Sequence, residues 1–161
     1  MGLKYLYRTG AAFVSARLGI TGKPPLSAQD LEMSYGENRA GALIVAGSYV
    51  PKTTAQLQSL RERRGLKLHV IELDVEQLIG SPRVANNVVE AATLETGDRI
   101  REGKDVLVMT SRKLILGENP ISSLSIGSTV AAALVRVVQN IDIRPRYIIA
   151  KVCTTTHSDN L

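Results

Sequence analysis

The sequence predicts an α/β fold, a mainly parallel sheet with helices on both faces. Two observations predict it. Short, almost wholly apolar runs such as 42–46 (ALIVA) and 105–109 (DVLVM) read as strands covered on both sides. Segments with helical spacing separate them, and strands that alternate with helices imply crossovers and parallel pairing. Composition agrees. The chain has 161 residues, 44% hydrophobic and 22% charged, enough apolar material for one folded domain and too much for a disordered chain.

Each element has its own signal. Residues 9–18 (TGAAFVSARL) read as a helix capped by Thr9 and stopped by Gly19. Residues 21–38 hold Pro24, Pro25 and Gly36 and form a connection, with a short helix near 28–34. The strand 42–46 ends at Gly47-Ser48. A helix runs from about Thr54 to Arg64 and stops at Gly65. A second strand spans 67–73 (KLHVIEL), and Asp74 opens a short helical turn to Ile79. Ser81-Pro82 starts a longer helix, with Ser as the cap and Pro at the first helical position. That helix reaches Glu102 and aligns Val84, Val88, Ala91 and Ala92 on one face. The third strand, 105–109, leads to Thr110-Ser111-Arg112. Gly117 and Pro120 mark a loop. A helix at 122–139 places Ile126, Val130, Ala133, Leu134 and Val137 at core spacing. The fourth strand, 147–150 (YIIA), ends at Lys151.

Composition also narrows the function. The one cysteine, Cys153, cannot form an internal disulfide, and with two histidines it makes a poor zinc site. A net charge of +5 suits a small anionic ligand, and 4% aromatic content without Trp offers few stacking platforms for single-stranded nucleic acid. Unbroken apolar runs stay short, as in Val130–Val135, so no membrane-spanning stretch is expected. Residues 1–29 lack Asp and Glu but carry Lys4, Arg8, Arg17 and Lys23, a composition shared with organellar transit peptides. An ordinary first helix is the preferred reading. Arg8 and Arg17 interrupt any secretory apolar region, and the expected location is cytoplasmic.

In an open parallel sheet, ligands bind beyond the carboxyl ends of the strands. Those ends carry Gly47 and Ser48, followed by Lys52, Thr53 and Thr54; then Asp74; then Thr110, Ser111 and Arg112; then Lys151, Thr154, Thr155 and Thr156. Small, hydroxyl-bearing and basic residues are the types that hold phosphate oxygens. Glycine at 47 permits close approach of backbone and ligand. Ser48 lies just before a helix whose N–H groups and dipole favour an anion. Spacing alone favours a plain turn with Thr53 or Thr54 as the helix cap, and the pattern is not a Walker A loop. Arg112 suits a bidentate phosphate clamp or a solvated loop. Asp74 suits a helix cap better than a metal. His69 sits in a strand and reads as structural, and His157 has no evident catalytic partner.

Taken together, LYRTGAAFVSARLGI (6–20), LIVAGSYVPKTTAQLQSL (43–60), VIELDVEQLI (70–79), DVLVMTSR (105–112) and RYIIAK (146–151) resemble, in order, the C-terminal nucleotide-binding domain of the four-carbon acid sugar kinases. Those enzymes use ATP to phosphorylate acids such as threonate and erythronate. The resemblance implies a nucleotide site at Gly47, Ser48, Thr53, Thr110, Ser111, Arg112, Lys151, Thr155 and Thr156, with Ser48 closest to the nucleotide and ATP with Mg²⁺ as cofactors. No catalytic residue is assigned, because the Asp-Asp and Thr-Gly signature of the family's substrate domain is absent here. After Lys151 the family pattern Lys-Gly-Gly-x-Thr-Ser meets Val152 and Cys153. Where a glycine needs positive φ, such a replacement costs about 1–3 kcal/mol. The resemblance therefore implies a fragment of a kinase. Residues 1–35 form a helix and connection, 36–151 the core of a sheet incomplete at its C-terminal end, and 152–161 a divergent tail. Activity would need a separate sugar-acid-binding domain, and a bare sheet edge would favour a partner or a homo-oligomer.

A second reading is non-enzymatic. Arg61, Arg63 and Arg64, together with Arg99 and Arg101, would serve a basic α/β module that binds RNA or another polyanion.

Overall fold

The structure, a computed structural model, describes residues 11–27, 29–30 and 39–151. The chain falls into two units, Met1–Ser34 and Tyr35–Leu161. The first holds α1 (Ala11–Arg17). Gly19 ends it as expected, with φ +65° and its N–H donated to the Ala16 carbonyl at 3.3 Å. Thr9 and most of the short helix expected near 28–34 lie outside the described residues.

The second unit runs β1 (Leu43–Ala46), α2 (Pro51–Arg64), β2 (Leu68–Leu73), α3 (Val75–Leu78), α4 (Pro82–Arg101), β3 (Asp105–Thr110), α5 (Pro120–Asn140) and β4 (Ile148–Lys151). The strands form one sheet in the order β2-β3-β1-β4, with every pairing parallel. This is the expected α/β architecture. Leu43, Val45, Ile71, Leu73, Val106 and Val108 pack on one face against Val89, Ala92 and Ile100 of α4 and Ala133, Leu134 and Val137 of α5. Ala46, Leu68, Leu107 and Met109 pack on the other against Leu57 of α2. β3 is buried along its whole length, and β4, at the edge, is exposed along all of its own.

Local chemistry sets the helix starts. Asp74 caps α3, accepting from the Glu76 N–H at 2.9 Å. Ser81 accepts from the Val84 N–H at 3.4 Å at the head of α4. Two starts differ from expectation. α2 begins at Pro51 rather than Thr54, and α5 at Pro120, which is therefore not in the loop. In both, proline occupies the first helical turn, where its fixed φ suits the helix and its missing N–H loses no bond. Asn119 caps α5 in a reciprocal box with Ser122.

The buried stripe of α4 is also corrected. It consists of Val89, Ala92, Thr93, Thr96, Gly97 and Ile100, while Val84 and Ala91 face outward. Its threonines and glycine hid the helical spacing from a reading based on apolar residues. A third correction concerns length. α5 has 21 residues and an 18-residue window of mean hydropathy 1.7, long and apolar enough to cross a membrane by length and composition alone. Its serines and glycine interrupt the apolar runs without lowering the mean much. Here Ala133, Leu134 and Val137 of α5 lie in the core against the sheet, and Arg136 donates to Asn86 at 2.9 Å.

At the amino end of the sheet, the buried Asp105 carboxylate accepts from the Ala42 N–H at 3.0 Å, from Arg64, and from Arg146 at 3.4 Å. The bond to Asp105 raises the affinity of the Arg64 guanidinium for its proton. Beside it, a Cβ on Gly41 would sit 1.7 Å from the Lys104 carbonyl oxygen, so only glycine fits. These contacts hold β1, β3 and the approach to β4 in line.

Candidate functional site

Helix placement puts the switch point of the sheet, where an open α/β sheet takes its ligand, at the other end. β1 leads into α2 on one face, whereas its neighbour β3 leads into α5 on the opposite face. Adjacent strands whose connections depart to opposite faces leave a cleft between their carboxyl ends. Here those ends are Gly47-Ser48 and Thr110-Ser111-Arg112.

Hydrogen bonds close the walls of the cleft into one network. Thr110 Oγ1 donates to the Gly47 carbonyl at 3.4 Å. Thr53 Oγ1 donates to Ser48 Oγ at 3.4 Å. Ser48, Thr53 and Thr110 are each 2% exposed. Arg112 spans the cleft. Its Nε and Nη2 donate to the Thr110 carbonyl at 3.0 and 2.8 Å, Nη2 also donates to Thr110 Oγ1 at 2.9 Å, and Nη1 donates to the Ser48 carbonyl. Burial pushes the Arg112 guanidinium below its ordinary pKa, against the pull of Glu72.

The start of α2 faces the same cleft. Its cap is Val50, which gives no side-chain cap bond, and Pro51 lies in the first turn. Neither Thr53 nor Thr54 caps the helix. Thr53 reaches Ser48, and Thr54 Oγ1 donates back to the Val50 carbonyl at 3.4 Å. The early N–H groups of a helix lack intrahelical acceptors, and they carry its positive dipole end. The sequence reading missed this uncapped start because it began the helix at Thr54. Pro51 was the signal for it.

The other expected site residues are placed differently. Gly47 makes room for α5, since a Cβ there would lie 2.9 Å from Leu134 Cδ1. Ser111 ties β3 to the β2 side, accepting from the Val75 N–H at 3.2 Å and donating its N–H to the Leu73 carbonyl at 2.9 Å. Lys151 is exposed at the end of β4, in register with Ala46. Thr154, Thr155, Thr156 and His157 lie outside the described residues. His69 pairs with Glu95 at 2.6 Å. The arginines of the polyanion reading are largely matched by acids. Arg64 bonds Asp105, Arg99 bonds Glu102 at 3.0 Å, and Arg101 bonds Asp98 at 2.8 Å and also Asp142.

Buried hydroxyls, free N–H groups and a dipole end converging on one cleft suit a phosphate-bearing ligand. Among the described residues, no group of three or more His, Cys, Asp or Glu could hold a metal ion. Residues 43–150 match a family described as a nucleotide-binding C-terminal domain. No curated protein and no solved structure matches the chain.

Proposed function

Because the chain belongs to the family of nucleotide-binding C-terminal domains, matched over residues 43–150, we propose that it binds ATP in the crevice between β1 and β3. The observation that carries this reading is a coincidence of position. The matched segment opens on β1 and contains both strand ends that form the crevice and the uncapped start of α2. The phosphates meet the N–H groups of the first turn of α2 and the Ser48 hydroxyl. Mg²⁺ arrives with the ATP, on its phosphates. We further read the chain as the nucleotide domain of a cytoplasmic kinase for four-carbon acid sugars, by its resemblance to those enzymes. In that reading residues 43–150 hold the nucleotide, and the sugar acid and catalytic base belong to a different domain.

Thermal melts with increasing Mg·ATP test the binding. Ligand at 100 times its Kd adds about 2.7 kcal/mol of stability. The wild-type chain should gain in Tm. Ser48→Arg, checked for folding by circular dichroism, should not. A wild-type Tm that stays constant up to millimolar Mg·ATP would overturn the reading.

A further inference from the structure

The geometry points to Arg112 as a positioning residue of the crevice, a strap that sets the spacing of its two walls and does not itself hold phosphate. This rests on the nucleotide reading of the crevice. It departs from the phosphate clamp that the residue type suggests. A guanidinium offers five N–H donors in a planar fork. Here four bonds use all three nitrogens, on the carbonyls of Thr110 and Ser48 and the hydroxyl of Thr110, and the one N–H left over, on Nη1, cannot make a two-pronged clamp. The two carbonyls belong to different walls, one at the end of β3 and one just beyond β1. Thr110 Oγ1, held by Nη2, in turn holds the Gly47 carbonyl at 3.4 Å. One side chain thereby fixes Gly47 and Ser48, the two residues that follow β1, and with them the position of the Ser48 hydroxyl. A phosphate that recruited this fork would have to leave those carbonyls unpaired in a half-buried place, which costs more than it returns.

Amide hydrogen exchange and nucleotide titration on the full chain test the strap, using Arg112→Gln and Arg112→Lys. Without ligand, those amides within residues 47–53 that are protected in the wild type should exchange at least tenfold faster in either variant, while those of Val106, Leu107 and Val108 keep their rates. Lysine should not rescue, because an ammonium lacks the planar fork. Unchanged exchange at 47–53, or one common acceleration across the chain, would overturn the proposal. Should both variants fail to fold, the wild type still decides it. The Arg112 Nε–H must exchange more slowly than that of the exposed Arg61, and equal rates would overturn the strap. In titrations with adenosine, ADP and ATP, ADP and ATP should lose affinity together with the wall their phosphates meet, equally in both variants, while adenosine loses less. ATP affinity restored by Arg112→Lys, which keeps the charge without the fork, would make Arg112 a phosphate ligand and overturn it. A wild type that binds none of the three would refute the nucleotide reading, leaving the exchange rates to decide the strap.

Discussion

At the scale of single residues, the sheet is framed by two polar knots, one at each end. The knot at the carboxyl end, built on Arg112, was partly legible in the sequence. A serine, a threonine and an arginine just beyond apolar runs stand out, because such residues gather where strands end in a parallel sheet. What Arg112 bonds was not legible, since a fork that fits phosphate also fits two carbonyls. The knot at the amino end went unseen, although an aspartate opening a buried strand is a signal in its own right. Asp105 is 5% exposed and holds Ala42, Arg64 and Arg146. Asp105→Ala would leave a buried N–H and two guanidinium groups without their acceptor. The arginines are partly exposed, so the main loss is the unsatisfied buried N–H, about 1–3 kcal/mol, and Tm should fall by roughly 3–10 °C. Asp105→Asn keeps an acceptor for Ala42 and should lose less. Urea titration of both variants checks the order, and equal stabilities would refute it.

At the scale of elements, strands were easier to place than helix boundaries. A strand buried on both faces announces itself by apolar residues alone, as β3 does. Helix starts depend on a few bonds, and proline overrode the threonines at α2. The stripe of α4 was misread because Thr93, Thr96 and Gly97 lie buried in it. The end of α4 gives a pH prediction. Glu102 accepts from Lys104 at 2.9 Å and Arg99 at 3.0 Å, and these bonds, Lys104 first, hold its carboxyl below the ordinary value of 4.5. A lowered folded pKa means stability that is present above pH 4.5 and lost as pH falls through the lowered value. Glu102→Gln should therefore flatten the acid limb of stability below pH 4.5 and leave the slope near pH 7 unchanged. The pair is exposed and the effect small. An acid limb as steep as that of the wild type would contradict it.

At the scale of the whole molecule, the sheet of the second unit has a covered centre and a bare edge. Leu43 of β1 and Ile148 of β4 are register partners, yet one is 0% exposed and the other 49%. Leu43→Lys would bury an unpaired charge and should prevent folding. Ile148→Lys should stay within about 0.5 kcal/mol of the wild type, and circular dichroism melts separate the two. Large destabilisation by Ile148→Lys would mean that β4 is covered in solution. The parallel order of strands was legible from their alternation with helices. Their spatial order was not, because β1 pairs with β3 and β4 rather than with β2, its successor in the chain. That arrangement makes the crevice, so the central claim concerns the crevice and is best tested there. The most direct measurement is calorimetric titration of the chain with Mg·ATP, repeated on Ser48→Arg. Saturable binding at one site in the wild type, lost in the folded variant, is the predicted result. Binding that survives Ser48→Arg unchanged would place the nucleotide elsewhere and contradict the account.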